Sequence, residues 1–370
     1  MPFVREKFTL DSPKKATIFL QQTLKITHKE AQKMIDKGRV ECNGATFSQK
    51  AGFLSGEVIV NYFRAEATEL KPIFETLDFA VFDKPAGLLS HPKGRFSHAS
   101  LLDSIRFYLG ANANPINRLD SETSGLILVS KNKKSEVVLK RRFEMREVEK
   151  TYLAVVFGRI DIDNLAQKFG DSSLQRQTTK FTHLLTPSAR EWESKSSLQD
   201  LRSKSKQSTQ NQMDDYFASL VNPADCHDFL QKSRNDEMDF IIDLPLKEGQ
   251  KGTDLGIRSI IDKNGRFAQS AIKILHYDSA RNITHLKVMP KTGRTHQIRA
   301  HLAHIGHRIL GETLYGVEDK NARDFLDGKI SSEVRTQIFG ANRLMLHAQS
   351  LRFAYNDNEF LICSKMPLNF

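Results

Sequence analysis

The residues best placed to do chemistry in this chain lie in two polar stretches. One is Asn117-Arg118-Leu119-Asp120-Ser121-Glu122-Thr123-Ser124-Gly125; the other is Pro290-Lys291-Thr292-Gly293-Arg294-Thr295-His296-Gln297-Ile298-Arg299. A lone carboxylate such as Asp120 can serve as nucleophile or base, and a nearby guanidinium favours the charged form of such a group. Arg118, Arg294 and Arg299 supply guanidiniums. The first stretch runs on into Leu126-Ile127-Leu128-Val129, an apolar run of strand length. A strand of that kind would hold the loop carboxylate on a rigid scaffold. Read alone, Asp120 is also an ordinary turn residue before a strand, and each arginine an ordinary surface ion-pair partner.

Other chemistries find less support. His296, His301, His304 and His307 invite a metal reading, but their spacing fits neither HExxH nor a zinc-finger pair, and no carboxylate or thiolate lies among them. A phosphate-binding P-loop and a GxGxxG turn are missing, so nucleotide-cofactor chemistry has no support. Cys42, Cys226 and Cys363 are far apart and without CxxC spacing. They argue against a disulfide framework or zinc knuckle and for a reducing compartment. The formal net charge of +11 over 370 residues favours a polyanionic partner, nucleic acid before anionic membrane. No apolar run approaches the roughly 20 residues that span a bilayer, and the N-terminus lacks the apolar core of a signal peptide. A soluble, cytoplasmic, monomeric protein is expected.

The elements that must position these residues follow from local signals. Ser12-Pro13 reads as a helix start, with Ala16, Phe19, Leu20 and Leu24 at helical spacing. Thr27-His28-Lys29-Glu30 is a capping-box pattern opening a second helix that stops at Gly38. That helix carries Lys29, Lys33 and Lys37 on one face, where they would track phosphates or be merely solvated. Asn43-Gly44 signals a hairpin, and Leu54 to Tyr62 a strand broken by a Ser55-Gly56 turn. Phe79 to Phe82 reads as a strand entering the turn Asp83-Lys84-Pro85-Ala86-Gly87, and Leu101 to Leu109 as a helix ending at Gly110. Asn132 caps a basic helix, and Lys150 to Val156 is a central strand. From about 159 to 238 the periodicity fails; the segment, which contains Trp192, is expected to be a partly ordered insertion. Strands resume at 240–244, 270–275 and 284–288, followed by a helix from Thr295 to Ile305. Strands with only occasional helices predict one mixed sheet and an α+β class.

The two stretches and their surroundings together carry a resemblance. Asn117 to Leu128 resembles the RLDxxTSGLLL signature of the RluA-type pseudouridine synthases. Asp83 to Pro92, Lys150 to Gly158, Thr292 to Leu302 with Gly311 and Tyr315-Gly316, and Arg343 to Ala348 resemble that family's other motifs, in its order. Residues 12 to 62 are similar to the small αL-type RNA-binding module. The resemblance implies two domains: residues 1–65 an α/β RNA-binding domain, and residues 66–370 a catalytic domain with a mixed, mainly antiparallel central sheet. It implies isomerisation of uridine in RNA to pseudouridine, without cofactor or metal. Asp120 would open the glycosidic bond, Tyr152 would stack on the uracil and Arg299 would pair with Asp120, with Arg294 competing for that place. Arg118, Arg294, Lys29, Lys33 and Lys37 would contact RNA. Lys84, His91, His296 and Gln297 would be structural. The RNA is expected to be ribosomal, with transfer RNA as the alternative. A non-catalytic RNA-binding or ribosome-assembly factor, or a base-releasing glycosidase, is the competing class. The chain departs from the family at Asn117, where a histidine is usual, at Tyr355-Asn356, where His-Pro is common, and in the long insertion.

Overall fold

A computed structural model describes residues 3–63, 70–91, 100–170, 173–176, 238–250 and 255–366. Its contacts define two compact units, Met1–Lys71 with Leu89–Asn112, and Pro72–Leu88 with Ala113–Phe370.

In the first unit β1 (Phe3–Lys15) pairs antiparallel with β4 (Phe53–Phe63), and the sheet continues through β2 (Val40–Cys42) to β3 (Ala45–Thr46). Helices α1 (Ala16–Leu24) and α2 (His28–Asp36) bury Phe19, Leu20, Ala31, Met34 and Ile35 with Val40, Leu54, Val58 and Val60. Ser12-Pro13 is not a helix start: it lies at the end of β1, where the ladder shifts register between Leu10 and Lys14. A proline has no N–H to give a ladder, and a bulge is where a strand tolerates that loss. Ser55-Gly56 is not a turn either, because β4 runs through it, with Gly56 at φ +71° opposite the same bulge. The Thr27–Glu30 capping box forms as expected. Asn43 and Gly44 both adopt positive φ between β2 and β3, as an Asn-Gly hairpin turn requires. Segment 89–112 belongs to this unit and carries α3 (Leu101–Leu109), opened by a Ser100–Asp103 capping box and closed by Gly110.

The second unit is built on a large sheet. Its strands are β5 (Pro72–Glu75), β6 (Phe79–Lys84), β7 (Asn114–Pro115), β8 (Ser124–Ser130), β9 (Glu149–Phe157), β10 (Leu174–Arg176), β11 (Phe240–Asp243), β14 (Gln269–Asp278), β15 (Ile283–Pro290), β16 (Leu346–Tyr355) and β17 (Asn358–Cys363). The order is β10-β11-β14-β15-β9-β16-β8-β6-β5, with β17 beside β16 and β7 beside β8. Among the described residues only β16 and β8 pair in parallel, so the sheet is mixed and mainly antiparallel. Strands β12 (Leu246–Glu248) and β13 (Ser259–Ile261) form a separate ribbon. Helices α4 (Lys133–Glu144), α5 (Ile162–Phe169), α6 (Gln297–His304), α7 (Asp319–Leu326) and α8 (Ser332–Phe339) complete the unit.

One expectation is sharpened and one revised here. The expected, partly ordered insertion begins with ordered structure: α5 is capped by Asp161, and β10 extends the sheet beside β11. The rest of the expected insertion, 177–237, lies outside the described residues. Cys363 is disulfide-bonded, whereas Cys42 is a free thiol; sequence spacing does not report which sulfurs tertiary structure brings together.

The register sets the site. Lys84 opposes Gly125, Gly125 opposes Ala348, Ala348 opposes Tyr152 and Tyr152 opposes Val288. One row across five strands therefore carries Lys84, the exit of the Asp120 loop and the strand tyrosine. At the usual strand spacing Tyr152 stands about 10 Å from Gly125. Only glycine fits at 125, where φ is +111° and a Cβ would lie 2.3 Å from the Ala348 carbonyl oxygen.

Candidate active site

Asp120 leads a tight turn in which the Thr123 N–H donates to the Asp120 carbonyl at 3.2 Å. The turn is pinned from below. The Lys84 ammonium, fully buried, donates to the carbonyls of Pro85 at 2.9 Å, Leu88 at 2.8 Å and Ser121 at 3.0 Å. The Gly87 N–H donates to the same Ser121 carbonyl at 2.8 Å. Burial pushes the Lys84 pKa down to about 8, against the pull of Asp120 and Glu122. Asn117, standing where the family has histidine, ties the loop to β8: its Oδ1 accepts from Leu128 N–H at 2.8 Å and its Nδ2 donates to the Leu126 carbonyl at 3.3 Å. Ser124 Oγ is 2.8 Å from Nδ1 of the buried His347, whose pKa burial lowers to about 3, so that histidine is neutral. From α8, Arg335 pairs with Glu122.

The second stretch supplies the partner. Arg299, in the first turn of α6 and 3% exposed, places Nη1 3.3 Å from Asp120 Oδ2. Its other edge grips Glu312 with two parallel bonds, Nε to Oε2 at 2.7 Å and Nη2 to Oε1 at 2.6 Å. Glu312 is completely buried and also accepts from the N–H groups of Leu314 at 2.8 Å and Tyr315 at 3.3 Å. Burial opposes the Arg299 charge, but Glu312 first, then Asp120, raise its pKa beyond the ordinary arginine value. Burial likewise opposes the Glu312 charge, and Arg299 with the two backbone donors pulls its pKa below the usual carboxylate range. The pair is thus ionised, and a bidentate fork leaves the guanidinium one orientation, with Nη1 aimed at Asp120. Removing either partner would strand a buried charge, at a cost of about 3–5 kcal/mol. Glu312 reaches this position because Gly311, at φ +73°, passes the Arg343 carbonyl so closely that a Cβ would lie 1.7 Å from its oxygen.

A further arm reaches the same carboxylate oxygen. His296 adopts a left-handed conformation at the N-cap of α6, φ 53°, and sets Nε2 3.7 Å from Asp120 Oδ2. Its Nδ1 is 3.0 Å from the Tyr315 hydroxyl, which accepts from the Ser259 N–H at 2.6 Å. The Tyr315 ring lies beneath the Arg299 guanidinium, 5.5 Å from centroid to Cζ, and burial pushes its phenol up to about 12. Tyr152 is partly buried and packs against the main core. Burial, then the Asp120 charge, raise its phenol well above the usual range, so it is a neutral ring within electrostatic reach of the carboxylate.

The structure therefore gathers Asp120, Arg299 and Tyr152 at one place. Arg294 does not contact Asp120; its Nε donates to the Phe267 carbonyl at 3.1 Å. Arg118 is exposed. Gln297 braces the loop before α6, accepting from Thr292 Oγ1 and Arg294 N–H and donating to the Gln269 carbonyl and Ser270 Oγ. His301 is a core residue between Ser270 Oγ and the Leu244 carbonyl, and His307 binds the Phe157 carbonyl. These histidines face separate partners, and the described residues contain no cluster fit for a metal ion. Lys29 and Lys33 are exposed along α2 and Lys37 just beyond it, in the first unit. Glu312 escapes sequence reasoning: no local pattern links it to Arg299, and only its place after the close-approach Gly311 marks it.

Residues 78–304 match the model of a family described as RNA pseudouridylate synthase. The chain is 36% identical over 370 residues to a protein of Helicobacter pylori (strain J99) described as an uncharacterized RNA pseudouridine synthase, covering 100% of this chain and 98% of that one. It is 25% identical to tRNA pseudouridine synthase C of Haemophilus ducreyi, over 78% of this chain and 86% of the relative. It is also 25% identical to ribosomal large subunit pseudouridine synthase D of Pseudomonas aeruginosa, over 76% and 67% respectively. A half-buried, cation-fixed carboxylate on a mixed sheet and this match define the class: the chain belongs to the RNA pseudouridylate synthase family, in its RluA-type branch. It is an RNA pseudouridine synthase, an isomerase acting within an RNA strand.

Proposed function

We propose that Asp120 is the residue that starts the isomerisation, with Tyr152 as the stacking surface for the target uracil. The observation that carries this reading is the 3.3 Å contact between Asp120 and an Arg299 locked by Glu312. A carboxylate that must attack or deprotonate near a ribose has to be charged and aimed, and this arrangement supplies both. The C1′–N1 bond of uridine breaks, the uracil turns, and a bond forms from C1′ to C5. The proton on C5 is lost and one is taken up at N1, so atoms and charge balance. The base must leave its stack to reach the site, and the flat, neutral Tyr152 ring offers a replacement surface. Arg118 and Arg294 contact the RNA around the site, and Lys29, Lys33 and Lys37 of the first unit contact its phosphates. The RNA we favour is large-subunit ribosomal RNA, with transfer RNA as the alternative; relatives of both names match the chain, and the basic α2 favours the former.

Purified protein incubated with total RNA tests the reading. The parent should create new pseudouridines at defined positions, and Asp120→Asn should create none while binding the same RNA. Modification at the parent rate by Asp120→Asn would remove the assignment. Release of free uracil would point to a glycosidase instead. Mapping pseudouridines in cells lacking the protein identifies the RNA: sites lost only from transfer RNA would overturn the ribosomal reading.

A further inference from the structure

The reaction uses Asp120 and its surroundings, but a second group of charges on the same unit has no role in it. Lys150 lies two residues before Tyr152 on β9, so both side chains belong to the same face of the sheet. Its Nζ approaches the loop before α6, 3.7 Å from where a Cβ on Gly293 would stand. Arg146, in a left-handed turn between α4 and β9, φ 61°, lays its guanidinium over the Phe267 ring, 5.4 Å from the centroid. Arg294 donates through Nε to the carbonyl of that same Phe267 at 3.1 Å. One residue thus fixes two guanidiniums, one by its ring and one by its backbone. Phe267 is 42% exposed, large for an aromatic side chain with no partner but a cation, and the adjoining Ala268 packs in the small cluster that holds Tyr315 beneath Arg299.

These cations are not balanced by protein. Among the described residues neither Arg146 nor Lys150 has a carboxylate within ion-pair distance. The acids nearest in sequence are engaged elsewhere, Glu147 with Arg142 at 2.7 Å and Glu149 with Arg352 at 4.0 Å. Burial, then repulsion from Arg146, hold Lys150 down to about 8. A half-buried lysine repelled by a neighbouring guanidinium and without a counter-ion is costly unless an anion completes it. Guanidiniums preset by stacking suit a phosphate, which takes two parallel N–H donors and an ammonium point charge.

We infer that Arg146, Lys150 and Arg294 form a phosphate subsite, ordered by Phe267, that holds a backbone phosphodiester of the RNA next to the nucleotide presented to Tyr152 and Asp120. This rests on the reading of the Asp120 site given above. It adds a defined anchor point for the strand on the catalytic unit itself. The subsite also separates two jobs within the Thr292–Leu302 stretch: Arg299 faces the carboxylate, and Arg294 faces the strand.

The test measures RNA binding against salt, together with single-turnover pseudouridine formation, for Arg146→Gln, Lys150→Gln and Lys134→Gln, the last an equal charge change on exposed α4. The first two should each flatten the slope of log affinity against log salt by about 0.7, with the loss in turnover falling on KM rather than kcat. A substrate carrying an uncharged methylphosphonate at the linkage flanking the target should weaken the parent more than Arg146→Gln alone does, and should cost Arg146→Gln less than it costs the parent, because Lys150 and Arg294 still hold the phosphate. The subsite is overturned by an unchanged slope, by an equal loss in Lys134→Gln, or by a methylphosphonate effect that adds in full to the variant. Arg146 is exposed, so that its replacement tests the subsite even if Lys150→Gln fails to fold. A parent that binds RNA but forms no pseudouridine would defeat the Asp120 reading, while the binding slopes still decide the subsite.

Discussion

The first unit and the catalytic unit use positive charge in opposite ways. On α2 the lysines at 29 and 33 stand in solvent with Lys37 just beyond the helix, over a cluster of buried apolar side chains. In the catalytic unit Lys84 and Arg299 are buried, and every donor edge given to them is met by a fixed acceptor. An exposed charge acts at long range and is screened by salt, so it sets affinity. A buried and saturated charge has one geometry, so it sets where a reacting group points. In the proposed reading the same residue types therefore serve recognition in one unit and alignment in the other.

Replacing a buried cation should be the most severe way to break that contrast. Arg299→Met leaves Glu312 charged without a partner, so unfolding should move by about 3–5 kcal/mol toward lower stability. Single-turnover pseudouridine formation should fall a hundredfold to a thousandfold; denaturant unfolding and a rate measurement below the new midpoint check both.

Lys84→Met should be next. It strands the Pro85 and Leu88 carbonyls, each costing about 1–3 kcal/mol if buried without a donor, and leaves the Ser121 end of the Asp120 turn held by the Gly87 N–H alone. Turnover should fall about tenfold to a hundredfold, as a small misplacement of a reacting group costs. The pH profile sharpens the point. The Lys84 pKa is lowered, to about 8, so the ammonium holds three protons below that pH and loses one as pH rises through it. One of the three carbonyls then loses its Lys84 donor, and parent kcat should decline above pH 8. In Lys84→Met that limb should be gone; a limb at the same pH would show that another group titrates.

Tyr152 divides ring from hydroxyl. Tyr152→Ala should cost about 1–3 kcal/mol of base stacking, and Tyr152→Phe much less, read as turnover on one RNA. Equal losses would assign the work to the hydroxyl.

The mildest change belongs to the first unit. Replacing Lys29, Lys33 and Lys37 together by Gln should leave stability within about 0.5 kcal/mol per site and flatten the salt slope of RNA binding by about 2. Unchanged slope and affinity would mean that the α2 face is only solvated.

Much of this contrast is legible in the sequence, and the unread part has a physical cause. Local signals carried: the capping box at Thr27–Glu30, the Asn132 cap, the Asn43-Gly44 turn and the core strand after Asp120 each depend on neighbours in the chain. The Ser12-Pro13 signal failed because a proline at a bulge and a proline opening a helix look alike until the opposing strand is known. Inside the expected insertion α5 and β10 could not be picked out individually, since both are too short for their periodicity to stand out. In the site, Asp120 and Arg299 were readable as reactive types, and Lys84 and His296 as polar residues of motifs. Their connection was not: the fork to Glu312, the three carbonyls around Lys84 and the 3.7 Å approach of His296 arise from crossings of distant segments. Charge type is written locally, whereas orientation is written by the register of β6, β8, β16 and β9.

The central claim, that a buried ion pair aims Asp120, meets its most direct test in Glu312→Gln. Glutamine keeps the shape and still accepts from Leu314 and Tyr315, but the fork to Arg299 loses its charge. Measured on folded protein with saturating RNA, the single-turnover rate of pseudouridine formation should fall at least about a hundredfold while the RNA dissociation constant stays within about twofold of the parent. A rate equal to the parent's would contradict the account, because Asp120 would then be aimed without the Glu312–Arg299 pair.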